Sequence, residues 1–475
     1  MRITFAVTAT LSAVTTLADA YPHIAEYLAE RNSRRQAIPT VPFPKASAHD
    51  QGEIGGVPRV LPIGFNADAQ RVSTTGDHAF IAPGPNDRRG PCAGLNAAAN
   101  HGYLPRDGIA TYAAVETGLW EAFGLDQTAT QVLQQTTTFF DGDPITQKWS
   151  IGGFSPKTAA LAPVGDLLGL PLGTALSKES GICGYGHLKS EGDASITRGD
   201  FLAPTMNSNC ASYPKFFQEL LDTSCEVNKD CLITMDSLAL HQHRRKLYSI
   251  NTNPNYFSPA FAGVAFTPAA HHFVFALMAN RSSEHPEGLL TPEALMQWFS
   301  YSRDGSGKLV YKYGNERIPD NFYKRGLQDP WTLPDILTGV VQQCLAYPTT
   351  CAIGGNTGKV NSFAGVEVGD LSHGLYDSSA FTDPAKLGCF LSMNIQAEAP
   401  SFLSNVLQGP VVQTVLSLLT STLIPTLAKG FGECNGINVK GGNGAGVPFG
   451  QYSGASQFPG AVVQNDGPRG MSPSP

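Results

Sequence analysis

The chain has 475 residues and a formal charge of −7, with 15% charged and 42% hydrophobic residues. That composition excludes a chain disordered throughout and supplies enough apolar residue for a sizeable core. The mildly acidic balance, with His243-Arg244-Arg245-Lys246 as the nearest basic cluster, argues against nucleic acid, which needs clustered Lys and Arg to displace counterions.

Residues 1–20 read as an export signal. Arg2 supplies the positive start, Ile3 to Leu17 is largely apolar and small, and Ala18-Asp19-Ala20 fits an A-x-A cleavage site. A first transmembrane helix fails on length, since ~20 continuous apolar residues are needed. Cleavage removes one Arg and one Asp and leaves the charge at −7. The expected location is therefore the secretory pathway. Residues 21–60, rich in Pro, Ala and Arg, read as an extended N-terminal arm.

Nine cysteines suit an oxidising compartment, and the odd count leaves at least one thiol unpaired. Cys225/Cys231 and Cys344/Cys351 are close enough for local bridges. Cys92 stands 91 residues from its nearest neighbour, Cys183, and is the candidate for chemistry. Asn280-Arg281-Ser282 is a glycosylation sequon, which predicts a surface position for Asn280.

From Arg106 the pattern turns helical, with Ile109, Tyr112, Ala113, Leu119, Trp120 and Phe123 near one face. Residues 160–177 are broken by Gly and Pro and read as loop and short turns. Thr291-Pro292-Glu293 marks a helix start, with Thr as N-cap and Pro at the first helical position. Asp383-Pro384 repeats that logic before Leu387. Val411 to Lys429 contains Gln413, Thr414 and Pro425, which favours a buried or amphipathic helix over a membrane span. Residues 435–475, rich in Gly and Pro, read as a loose tail. Alternating strand patterns are scarce. The expectation is a mostly α chain with long irregular loops, its domain covering residues 61–434.

The informative segment is Arg89-Gly90-Pro91-Cys92-Ala93-Gly94-Leu95-Asn96-Ala97-Ala98-Ala99-Asn100-His101-Gly102-Tyr103-Leu104-Pro105. Pro91 ends any preceding regular structure and Ala93 to Asn100 is helix-competent, so Cys92 sits at a helix start. Free N–H groups and the positive dipole end there stabilise a thiolate. Such a thiolate can attack a carbonyl, bind a metal, or donate into a haem iron. As a nucleophile it would draw on His101, without a triad or oxyanion-hole signature. As a zinc ligand it lacks local partners.

This segment resembles the proximal motif of the haem-thiolate peroxidases, the family of chloroperoxidase and the unspecific aromatic peroxygenases. Ala93 stands where the family has a second proline, a change that restores an N–H after the ligand. The resemblance implies a single chloroperoxidase-like haem-thiolate domain, with Cys92 as the axial ligand of haem b. Ser190-Glu191-Gly192-Asp193-Ala194-Ser195 is similar to the Glu-Gly-Asp motif of the longer members. By that likeness Glu191, Gly192 and Ser195 hold a Mg²⁺ beside a haem propionate, which suits hard oxygen ligands. Ser150-Ile151-Gly152-Gly153, Asn253-Pro254-Asn255 and Pro319-Asp320-Asn321-Phe322 look like further family landmarks. Cys389 and Cys434 match a bridge that longer members carry.

The family's distal acid–base is a Glu, preceded in longer members by an Arg seven residues earlier. Here the corresponding stretch is Phe266-Thr267-Pro268-Ala269-Ala270-His271-His272-Phe273-Val274-Phe275. Anchoring at its start puts the Glu position at His271, and anchoring at its end puts it at His272. Val264 or Ala265 then replaces the Arg. His271 or His272 is therefore the expected catalytic acid–base, with Glu284 or Glu287 serving only if the alignment slips. His241 and His243 read as ordinary polar residues, since no third metal ligand follows. The resemblance implies a secreted enzyme that uses H₂O₂ to oxidise or oxygenate a small organic substrate through a Cys-ligated ferryl haem. The alternatives are a haem-thiolate protein with little peroxide activity and a cysteine-nucleophile hydrolase.

Overall fold

A computed structural model describes residues 65–158, 181–184, 190–326, 329–406, 417–431, 434 and 452–461. The export signal, the arm and the 160–177 loop lie outside the described residues. Among the described residues, ten helices of seven residues or more organise the fold: α1 (Ala93–Asn100), α2 (Tyr112–Phe123), α3 (Gln127–Asp141), α4 (Pro214–Val227), α5 (Met235–Thr252), α6 (Thr267–Met278), α7 (Pro292–Trp298), α8 (Leu333–Ala346), α9 (Pro384–Val406) and α10 (Ile424–Phe431).

Helix starts follow local chemistry. The Asp126 carboxylate accepts the Ala129 N–H at 2.7 Å ahead of α3. Thr234 with Ser237, and Thr332 with Asp335, close reciprocal capping boxes on α5 and α8. Thr291 caps α7 and Asp383 caps α9, as their sequences predict. Each such cap stabilises its helix by ~1 kcal/mol. One boundary differs from expectation. Ile109 belongs to strand β1 (Ile109–Thr111), and α2 begins only after Thr111, whose hydroxyl accepts the Ala114 N–H.

The strands are two or three residues long and serve as clasps. β1 pairs antiparallel with β3 (Lys148–Ser150), which also pairs with β2 (Gly142–Asp143). β4 (Phe257–Ser258), β7 (Gly354–Asn356) and β8 (Phe363–Gly365) form a second sheet in the order β4-β7-β8. β5 (Tyr301–Arg303) and β6 (Leu309–Tyr311) make a hairpin. The mass of the core is helical: α4 packs on α5, α5 on α6, α6 on α8 and α8 on α9. Fully buried Phe140, Phe217, Trp298 and Phe390 fill it.

Both local bridges, Cys225–Cys231 and Cys344–Cys351, are formed, as is Cys389–Cys434. Cys183–Cys210 is a fourth bridge that spacing did not reveal. Within Val411 to Lys429, the described part is an amphipathic helix that buries Leu423 and Leu427. No helix among the described residues is long and apolar enough to cross a membrane. Part of the tail is packed rather than loose: Phe458 is buried, its ring 5.4 Å from that of Phe257. Asn280 is half-buried and not on the open surface, because its side-chain oxygen accepts the Tyr323 N–H at 2.8 Å.

Candidate active site

Cys92 is the N-cap of α1, with extended backbone angles of φ −84° and ψ 106°. The loop before it is tied to the helix it precedes. Asn96 exchanges two hydrogen bonds with the Gly90 backbone, and Arg89 donates to the Asn100 side chain at 2.9 Å. Gly90 has no freedom to be anything larger, since a Cβ there would lie 2.1 Å from the Ile151 carbonyl. Cys92 lies deep in the protein, yet its side chain remains exposed because it faces a cavity. Burial pushes the thiol up, while the Leu95 and Gly94 N–H groups and the Arg198 charge favour the thiolate. Those N–H groups point toward the sulfur without closing a capping hydrogen bond.

The cavity has a volume of about 190 Å³. Leu119, Phe123, Phe273 and Leu277 are among its apolar walls, and Glu191, Ser195 and Arg198 stand at its polar margin with Cys92. The structure thus brings Cys92, Glu191 and Ser195 to one space, although a hundred residues of chain separate the first from the others. The turn carrying Glu191 is pinned from below. Asp200 accepts the Ala194 N–H at 2.9 Å, and Asp193 accepts the Phe257 N–H at 3.1 Å. Asp193 therefore turns into the fold. Glu191 keeps one carboxylate oxygen, Oε1, buried without a partner. Burial pushes its carboxyl up to about 8, opposed by the Ser195 hydroxyl and Arg198. Gly192 passes close to α6: a Cβ on it would stand 3.2 Å from Thr267 Oγ1.

His271 and His272, the expected acid–base residues, lie outside the cavity lining, where α6 presents Thr267, Ala270, Phe273, Val274, Leu277 and Met278. His272, two steps beyond Ala270, is carried ~200° around the helix from it, whereas His271, four residues after Thr267, stays within ~60° of cavity-lining residues and is buried in the core behind them. His271 is fully buried, its Nδ1 2.9 Å from the Thr267 carbonyl and its ring 5.7 Å from that of His241. Burial pushes its imidazole down to about 3, so it stays neutral. His272 is packed edge-on to Trp331 and against Gly339 of α8. The α6 face toward the cavity therefore carries one polar side chain, the Thr267 hydroxyl.

The remaining candidates disperse. Glu284 and Glu287 are exposed on the surface. His101 is the C-cap of α1, so nine residues at 1.5 Å each put it ~13 Å along the axis from Cys92. A dyad of Cys92 with His101 is thereby excluded. His241 and His243 are buried polar residues, and no cluster of three metal-ligating His, Cys, Asp or Glu forms among the described residues. Sequence reasoning passed over Arg198. Its Nε and Nη2 both donate to the Pro91 carbonyl, at 2.9 and 2.7 Å, across 107 residues of chain that no local pattern connects.

The family model described as "Peroxidase, family 2" matches residues 78–327, a span that holds Cys92, Glu191 and α6. The chain is 36% identical to the dothistromin biosynthesis peroxidase of Dothistroma septosporum, over 77% of this chain and 83% of the relative. It is 30% identical to an aromatic peroxidase of Fusarium equiseti, over 76% and 79% respectively. An aromatic peroxygenase of Cyclocybe aegerita is 30% identical over 63% of this chain and 69% of its own length.

Proposed function

The chain belongs to the family 2 peroxidases, an assignment that makes it an oxidoreductase and implies a haem cofactor, and from that premise we propose that Cys92 ligates a haem b iron in a secreted enzyme oxidising or oxygenating an aromatic substrate with H₂O₂. One observation carries the reading. Cys92 is a free cysteine at a helix N-cap, with its side chain exposed to a large apolar cavity. Bound there, the haem would supply peroxide activation, helped by thiolate donation that favours O–O cleavage.

The residues present fit that group. The apolar walls exclude water and offer a flat, low-polarity surface, while the polar margin meets propionates. Glu191, Gly192 and Ser195 would hold Mg²⁺ through a carboxylate, a carbonyl and a hydroxyl, a donor set suited to a hard cation. The unpartnered, buried Glu191 Oε1 supports this, because a cation would repay the desolvation of that carboxylate. Phe123, Phe273 and Phe299 line the cavity and would hold an aromatic ring by stacking or edge contacts. The relatives named as aromatic peroxidase and aromatic peroxygenase point the same way. The four disulfides suit an oxidising compartment.

With neither histidine lining the cavity, Thr267 is the polar α6 side chain that could hand a proton to or from peroxide, directly or through water. A hydroxyl is a weaker acid–base than a carboxylate, so peroxide should react more slowly than where a general base contributes its ~10² to 10⁴-fold. This favours, as a second reading, a haem-thiolate protein with little peroxide activity. The test is spectral and kinetic. The ferrous CO complex should show a red-shifted, thiolate-type Soret band, and its absence sinks the Cys92 assignment. Stopped-flow mixing with H₂O₂ then separates the readings: substrate-coupled turnover supports the enzyme, and a bleaching-only reaction supports the weak-peroxide protein.

A further inference from the structure

Arg198 is 1% exposed, and each of its three guanidinium nitrogens donates a hydrogen bond, two of them to the residue before Cys92. Nε and Nη2 grip the Pro91 carbonyl, and Nη1 donates to the Tyr311 hydroxyl at 3.1 Å. Behind it, buried Glu316 lies 3.8 Å from Nη2 and accepts from the Tyr311 hydroxyl at 3.4 Å. Burying a charge costs several kcal/mol unless it is well paired. A neutral donor would satisfy one carbonyl equally well, so a charge at this carbonyl asks for a reason. The peptide it holds is the one that ends at the Cys92 nitrogen.

Resting on the reading of Cys92 as the iron ligand, we infer that Arg198 is a positioning residue for the Cys92 thiolate, fixing the Pro91–Cys92 peptide with two donors and moderating sulfur donation with its charge. The two donors and the planar fork fix the peptide in direction as well as distance. That fixes how Cys92 enters α1 and where its sulfur stands over the cavity. The charge, in a low-dielectric site and held by Glu316 and Tyr311, draws electron density toward itself and away from the iron. Arg198 never titrates, so the effect persists across the working pH range.

The experiment uses the full-length, haem-loaded protein and reads the Fe(III)/Fe(II) midpoint potential and the C–O stretch of the ferrous CO complex. In the double variant Arg198→Met/Glu316→Gln, the Gln keeps the Tyr311 contact and avoids a stranded carboxylate. The expected result is a lower potential and a lower C–O stretch, both reporting stronger sulfur donation. Parent-like values for both, at parent-like haem content, overturn the inference. Arg198→Lys covers the case in which the double variant does not fold. It keeps the charge but loses the fork, so the ferrous CO sample should divide between thiolate and non-thiolate bands. A single parent-like band in Arg198→Lys overturns the grip. Cys92→Ala distinguishes the two levels: a thiolate band surviving in that variant sinks the ligand assignment itself, whereas its loss alongside unmoved Arg198 variants sinks only the role of Arg198.

Discussion

The His272 ring of α6 lies against Gly339 of α8 so closely that a Cβ on the glycine would stand 2.1 Å from Nδ1. The imidazole fills the space that a side chain would take, and α6 can approach α8 because that side chain is missing. Gly339→Ala should therefore destabilise the protein by about 1–3 kcal/mol, the usual cost of overpacking. In the double variant Gly339→Ala/His272→Ala the alanine gains room, so the two losses should fall short of their sum. Denaturant unfolding of the four proteins measures the coupling, and strict additivity would show that the contact carries no strain. His272→Ala alone should react with H₂O₂ within a few-fold of the parent, since its ring is outside the cavity.

Cys92→Ala should lose the red-shifted ferrous CO band entirely while the apo-protein fold survives, because the side chain faces a cavity and no packed neighbour depends on it. Cys92→His keeps a ligand for iron but loses the thiolate donation that favours O–O cleavage. Its expected signature is a blue-shifted CO band with slower peroxide reaction. A thiolate-type spectrum in Cys92→Ala would falsify the assignment.

The Cys92 segment was legible because its signals are local: a Pro, a helix-competent run and a Gly lie within a dozen residues. Thr291, Asp383 and the two short-range bridges were legible for the same reason. Register along α6 was not. Two anchors, Phe266-Thr267 and Val274-Phe275, each assigned a histidine, and a helix rotates ~100° per residue, so a slip of one position separates a cavity wall from the back of the helix. Arg198 and the Cys183–Cys210 bridge were invisible for another reason. Their partners are set by tertiary approach, and the sequence between Pro91 and Arg198 contains nothing that pairs them.

Glu191→Gln should weaken cation binding by at least ~10-fold and release haem faster, since the amide offers no negative charge to a divalent ion. Elemental analysis of freshly prepared parent should find stoichiometric magnesium, and prolonged chelation should accelerate haem loss from the parent more than from the variant. Equal haem retention by parent and Glu191→Gln, with no bound divalent metal in either, would remove Glu191, Gly192 and Ser195 from the cation site.

Lys246 gives a pH dependence that is independent of the haem site. Its ammonium is fully buried on α5, donating to Ser258 Oγ and to the Gly263 carbonyl, both at 2.9 Å. Burial pushes it down to about 7, against ~10.4 for the unfolded chain. Between those values the unfolded state holds the proton and the folded state does not, so stability rises with pH through that window. Below pH ~7 both states are charged and the full desolvation cost is present; above ~10.4 both are neutral and the cost is gone. Lys246→Met removes this titration while adding a pH-independent loss of ~1 kcal/mol for each hydrogen bond forgone. The stability of the parent minus that of Lys246→Met should therefore be flat below pH 7 and then climb by a few kcal/mol toward pH 10. Urea unfolding at closely spaced pH values measures the difference directly. A difference that stays level from pH 7 to 10 would mean that Lys246 enters the fold with its proton held as firmly as in water.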